Sequence, residues 1–139
     1  MTYLLDTNAC IALVNGRPAS VRERFERASS DGATIMTSSI VVFELWYGVG
    51  KSQRREANAS RLSTFLGGPL EVVEFDDEDA RAAGQVRATL ELAGRPIGSY
   101  DVLIAGQSLR RGATLVTANA REFARVADLR WEDWAAQRD

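Results

Sequence analysis

Histidine is absent from the 139-residue sequence, which excludes a Ser-His-Asp triad, a Cys-His pair and any imidazole general base. Hydrolytic chemistry on this chain therefore falls to carboxylates, most simply carboxylates that hold a metal ion. Cysteine is nearly absent too. Cys10, the single one, allows neither an internal disulfide nor a Cys-x-x-Cys zinc site, in keeping with a reducing compartment; it reads as a small apolar helix residue. Lys51 is the only lysine among 17 basic residues, and the arginines that make up the rest suit bidentate contact with phosphate. A net charge of −2 nevertheless excludes a protein whose whole surface attracts nucleic acid, so such a substrate has to be held by local contacts. No apolar run approaches the roughly 20 residues that cross a bilayer. The opening Met-Thr-Tyr-Leu-Leu-Asp has no basic leader before an apolar stretch, so a cytoplasmic protein without a membrane segment is expected. With 45% hydrophobic and 26% charged residues, one globular domain over 1–139 is the expectation.

What is present alternates. Short apolar strands are predicted at 3–5, 34–37, 71–75 and 114–117, with a strand-like end at 129–131. Helices are predicted at 9–14, along Val21, Phe25 and Ala28, at 40–49 behind Ser38 or Ser39 as N-cap, and at 54–65. The longest, 77–93, carries Ala80, Ala83, Val86 and Leu90 on one stripe. Another follows Ser99 as cap and ends at Gly112, and a short one spans 121–125. The three prolines of the chain, Pro18, Pro69 and Pro96, all fall at helix ends. This order predicts an α/β fold, a three-layer α/β/α sandwich around a mainly parallel sheet. In such sheets the ligand crevice lies beyond the C-terminal strand ends.

Four polar residues stand beside apolar segments. Asp6 and Asn119 follow strands directly; Glu44 and Asp101 lie in helices that begin on the same side. Glu44 is bracketed by Ile40, Val41, Val42, Phe43, Leu45 and Trp46, so a buried unpaired carboxylate there would be costly, and a partner, Arg or a cation, is expected unless the residue faces solvent. Asp6 reads as a functional acid or as the N-cap of the next helix, with Thr7 or Asn8 as rival caps. Asp101 falls in a first helical turn, where the dipole favours its ionised form. Asn119 sits where a turn role is ordinary. Acids gathered at one sheet end repel one another unless a divalent cation intervenes, and oxygen-only ligands select Mg²⁺ or Mn²⁺ over zinc.

Leu5-Asp6-Thr7-Asn8, Ser39-Ile40 leading to Glu44-Leu45, Pro96-Ile97-Gly98-Ser99-Tyr100-Asp101 before Leu103-Ile104-Ala105, and Leu115-Val116-Thr117 with Asn119 and Arg121-Glu122-Phe123 resemble the ordered motifs of PIN-domain ribonucleases. The similarity is greatest to the VapC toxins of bacterial toxin–antitoxin pairs, and covers nearly the whole chain. It implies an endoribonuclease in which Asp6, Glu44 and Asp101 are catalytic and bind Mg²⁺ or Mn²⁺. Asn119 matches a fourth, often acidic, position, and Glu122 three residues on is the candidate to supply the missing charge. Ala118 and Ser99 depart from the Asn and Pro common in the nearest relatives without removing a ligand.

The resemblance also implies partners: a VapB-type antitoxin whose C-terminal segment covers the site, a homodimer, a larger assembly with antitoxin and operator DNA, and structured RNA as substrate, in particular the anticodon loop of tRNA, the initiator tRNA included. Thr7, Ser39 and Thr117 are candidates for hydrogen bonds to the site or to phosphate, beside capping and strand-end roles. Trp46, Tyr47 and Tyr100 are candidates for base stacking, with core packing the alternative for Trp46. Apolar side chains of 42–49 are candidates for the antitoxin groove. A phosphoaspartate receiver wants an acidic pair and a late-strand Lys, and a haloacid-dehalogenase-like phosphatase wants Asp-x-Asp; Asp6-Thr7-Asn8 supplies neither. A noncatalytic co-repressor would keep the fold and need no acids.

Overall fold

The structure, a computed structural model, describes residues 1–136; positions 137–139 of the expected 1–139 domain lie outside the described residues. Twelve elements follow one another: β1 Thr2–Leu5, α1 Thr7–Asn15, α2 Ala19–Ser30, β2 Thr34–Ser38, α3 Ser39–Gly50, α4 Arg55–Leu66, β3 Glu71–Val73, α5 Asp77–Leu92, α6 Ser99–Arg110, β4 Thr114–Val116, α7 Ala120–Phe123 and β5 Trp131–Glu132. The strands form one sheet in the order β3-β2-β1-β4-β5. Every pairing is parallel, with Leu4 opposite both Met36 and Leu115. Parallel strands need crossover helices, which cover both faces and produce the expected three layers.

The chain leaves β1 for β2 and β3 on one side, then returns to place β4 and β5 on the other. The switch point thus lies between β1 and β4, where open α/β sheets form their ligand crevice. Leu4, Leu5, Leu115 and Val116 beneath it are at most 1% exposed, so the two strands that carry the site stand in the densest part of the core. Cys10 is buried with them, and burial pushes its thiol up to about 12; it is inert, as the sequence suggested.

Several boundaries differ from the sequence expectation. The third strand stops at Val73 rather than 75, and the last is Trp131–Glu132 rather than 129–131. Gly98, not Ser99, caps α6, and no side chain bonds its first turn. Ser38 caps α3, accepting from Ile40 N at 3.0 Å. Ala80 is exposed, and its place on the buried stripe of α5 belongs to Asp79, which is 0% exposed. Asp79 completes a capping box with Asp76 and accepts from Arg110 Nε at 2.6 Å, Arg111 Nη2 at 3.1 Å and Gln107 Nε2 at 3.1 Å. Burial pushes this carboxyl up, but the Arg110 hydrogen bond, the Asp76 amide and Arg111 outweigh it and hold it below the ordinary carboxylate value. The network fastens the start of α5 to the end of α6. Between them the helices approach so closely at Gly106 that a Cβ would stand 2.4 Å from Ala83 Cα.

Candidate active site

Asp6 serves both roles the sequence offered. As N-cap of α1 its Oδ1 accepts from Ala9 N at 2.8 Å, and the same carboxyl receives the Thr117 hydroxyl. It is 6% exposed. Burial raises its pKa, the Thr117 and Ala9 hydrogen bonds oppose the rise, and the charges of Glu44 and Asp133 add to it. Thr117 also accepts from Asn119 N at 2.9 Å, so one hydroxyl ties the ends of β1 and β4.

Glu44 reaches the centre from α3, its Oε1 accepting from Thr7 Oγ1 at 2.9 Å. Of the two readings of Glu44, the partly solvent-facing one holds. Phe43, Trp46 and Tyr47 are 55%, 40% and 61% exposed, so α3 turns an aromatic face outward and Glu44 is only half-buried. Trp46 is a surface residue rather than a core one. Tyr100 on α6 extends that face, its ring 5.9 Å from Phe43.

Asp101 lies in the first turn of α6, where the dipole favours its ionised form, but burial and neighbouring acids act against it. Its carboxyl is pushed up to about 7, by burial first, then by its hydrogen bond to Glu122 and that group's charge, then by Asp6 and Glu44. Glu122 moves the other way, lowered by the Asp101 hydrogen bond first and, against the cost of burial, by Asn119, the Gly98 amide and Arg125. The two carboxyls therefore titrate as a pair, Asp101 shifted upward and Glu122 downward. Asn119 Nδ2 bridges them, 2.9 Å from Glu122 Oε2 and 3.4 Å from Asp101 Oδ2. Gly98 closes the pair from outside; a Cβ there would lie 3.3 Å from Asp101 Oδ2 and 3.9 Å from Glu122 Oε2.

Asp6 and Asp101 each feel the charge of Glu44, and Asp101 that of Asp6, while Thr7, Thr117, Asn119 and Glu122 supply hydrogen bonds around these acids. Ser39 stands apart: its Oγ accepts from Phe75 N at 3.1 Å and joins α3 to the end of β3. Asp133, just past β5, was not singled out from sequence, although an acid directly after a strand is the same signal that marked Asp6. Among the described residues no arginine or lysine pairs with Asp6, Glu44 or Asp101, and no three acids stand close enough to enclose an ion unaided. The donor set still fits a hard cation: every side chain offers oxygen, and among the described residues none is paired with a basic side chain. Waters and a phosphate oxygen would complete such a shell.

Residues 3–129 match the PIN domain. Over 135 residues, 97% of this chain and 99% of the relative, the sequence is 42% identical to a tRNA(fMet)-specific endonuclease VapC of Shigella flexneri. It is 42% identical to a ribonuclease VapC2 of Rickettsia felis over 96% of this chain and 98% of that one. Among solved structures, VapBC2 of Rickettsia felis bound to a promoter DNA fragment superposes with a TM-score of 0.88 at 40% identity, covering 95% of this chain and 98% of that chain.

Proposed function

The chain belongs to the PIN-domain family and, within it, to the VapC ribonucleases, and on that premise we propose that it is the toxin of a type II toxin–antitoxin pair, a single PIN domain that hydrolyses RNA phosphodiester bonds at the Asp6–Glu44–Asp101 centre. The observation that carries the proposal is the set of acids at the β1/β4 switch point with no basic partner among the described residues. PIN-domain nucleases are generally metal-dependent; here Asp6, Asp101 and Glu44 would hold Mg²⁺, with Mn²⁺ as a substitute. When bound, the ion polarises the scissile phosphate and makes water a better nucleophile.

The chain's own groups do the rest. Asp6 is fixed by the Ala9 amide and the Thr117 hydroxyl, so its position does not depend on the ion. Glu44, aimed by Thr7, is placed to accept a proton from the attacking water. Asn119 holds the Asp101–Glu122 pair through hydrogen bonds to both carboxyls and would keep Asp101 in place as a ligand. Hydrolysis by water leaves a 5′-phosphate and a 3′-hydroxyl without use of the RNA 2′-hydroxyl. The substrate that the relatives' names favour is initiator tRNA, with the anticodon loop as the place where unpaired bases are accessible. A VapB-type antitoxin, a homodimer, a larger complex on operator DNA and a cytoplasmic setting complete the proposal. No helix among the described residues is long and apolar enough to cross a membrane.

Purified protein incubated with total tRNA, with Mg²⁺ and with EDTA, beside Glu44→Gln and Asp101→Asn, tests the reading. Cleavage only with the metal, lost in both variants, is expected. A 2′,3′-cyclic phosphate on the product would reject hydrolysis by water, and growth arrest by Asp101→Asn equal to wild type would reject catalysis altogether.

A further inference from the structure

A recess opens beside the acidic centre, between α1, the junction of α1 with α2, and the segment after β5. Its volume is about 240 Å³, below the roughly 300 Å³ at which sites begin to enclose a whole drug-sized ligand. One planar ring system fits; a folded nucleotide chain does not. The walls are apolar, with Ala12 from α1, Pro18 beyond it, and Trp134 with Ala135 from the chain end. Asn8, Arg17, Thr117 and Asp133 are the polar members of the lining. Thr117, whose hydroxyl bonds the Asp6 carboxyl, lines the recess, and the charge of Asp133 is felt at Asp6. Anything seated there is a direct neighbour of the catalytic acid.

We propose that this recess receives a single unstacked base of the substrate RNA, the one flanking the scissile phosphate, and so selects the nucleotide at the cut; the proposal rests on the ribonuclease reading above. Looped RNA is recognised by splaying bases onto aromatic or apolar surfaces and bonding their edges. The apolar walls suit the ring faces. At the rim, Asp133 Oδ1 accepts from Ala135 N at 2.9 Å, which leaves Oδ2 as an acceptor for an exocyclic amine and favours adenine, cytosine or guanine over uracil. Arg17 at the same rim suits the adjoining phosphate. The recess is preformed. Trp134 is held edge-on by Tyr3 at 5.2 Å between centroids, its Nε1 donates to Glu132 Oε1 at 3.1 Å, and Arg24 Nη1 donates to the Asp133 carbonyl at 2.7 Å. A rigid cleft spares the ordering cost that weakens binding to mobile surfaces.

The test scans single abasic nucleotides through a cleavable RNA stem-loop, using wild type and two variants that fill the recess from different walls, Ala12→Met and Ala135→Met. Wild type is expected to lose about 10-fold in kcat/KM when one base next to the cut is removed, the size of a single buried base contact. The filled variants should cut intact RNA that much more slowly and treat intact and abasic RNA alike. Unchanged thermal midpoints show that they fold, and each stands in for the other if one does not. Wild type that cuts RNA with no such position, or filled variants that retain the full base dependence, overturn the base subsite and leave the ribonuclease reading standing. Wild type that cuts no RNA overturns both. Filled variants that cleave normally but escape antitoxin inhibition overturn the subsite in favour of a protein occupant.

Discussion

Thr7 has one measurable duty at this centre, the 2.9 Å hydrogen bond that aims Glu44. Thr7→Val keeps the shape and removes the donor, so kcat should fall about 10-fold, as for loss of one hydrogen bond to a charged group. Glu44→Gln, which removes the proton acceptor itself, should cost roughly 10²–10⁴. Single-turnover rates under saturating enzyme separate the two; equal losses would mean that Thr7 touches the reacting atoms.

The carboxyls also set opposite pH limits on stability. Asp101 rises from 3.8 to about 7 on folding, so between those values the folded chain holds a proton that the unfolded chain has lost. The stability linked to that proton is complete below the unfolded value and is lost as pH rises through about 7. Asp6, also raised, adds in the same direction. Asp79, lowered on folding, gives stability that is present above its unfolded value and disappears as pH falls through its folded one. The thermal midpoint of metal-free protein should therefore decline from about pH 5 to pH 8, and Asp101→Asn should flatten that limb while leaving the acid limb intact. Asp79→Asn should do the reverse. A variant that flattens the wrong limb sinks this assignment.

Among the elements, α5 and α6 make the tightest contact. Gly106→Ala would drive a methyl against the Ala83 backbone, and a loss of about 1–3 kcal/mol is expected for such overpacking. Gly84, on the same α5 but with nothing within 4 Å of its would-be Cβ, is the control: Gly84→Ala should add about 0.4–1 kcal/mol by reducing the freedom of the unfolded chain. Urea denaturation of both variants reads the contrast, and the same sign at both positions would contradict the packing described. Neither glycine is distinguishable from the other in the sequence. What was legible there was periodic. The alternation of apolar strands and amphipathic helices gave the layers, and the position of Asp6 and Asn119 just after strands gave the edge on which the site forms. What was hidden depended on contacts across the chain. The buried role of Asp79 could not be read from its neighbours because its partners, Arg110 and Arg111, stand 31 and 32 residues away. Glu44 looked buried because its neighbours are apolar, whereas α3 spends them on an exposed face. The pairing of Asp101 with Glu122, 21 positions apart in the sequence, has no local signature at all.

At the scale of the whole molecule, that exposed face and the acid cluster are two unsatisfied surfaces. Phe43, Trp46, Tyr47 and Tyr100, each 40% exposed or more, make an aromatic patch of the kind that marks an interaction site. Phe43→Glu should shift the proposed homodimer toward monomer in sedimentation, and an unchanged mass would remove this patch from the interface. The proposed metal site, in turn, would link folding to metal. A cation that binds only the folded chain should raise the thermal midpoint, by about 2.7 kcal/mol of stability at one hundred times its dissociation constant. EDTA should reverse the rise and Asp101→Asn should abolish it; calorimetry with and without Mg²⁺ decides, and a rise retained in the variant would place the ion elsewhere.

The centre draws its groups from positions scattered between Asp6 and Glu122, and β1, the strand that carries Asp6, is clamped between β2 and the late-arriving β4. A nascent chain still on the ribosome therefore lacks half of its own catalytic pocket until most of the message has been read. On the proposed mechanism, a product that ends before Asp101 lacks that acid together with Asn119 and Glu122, and should not cleave RNA; the proposed activity would begin only once α6 and the turn after β4 have been made.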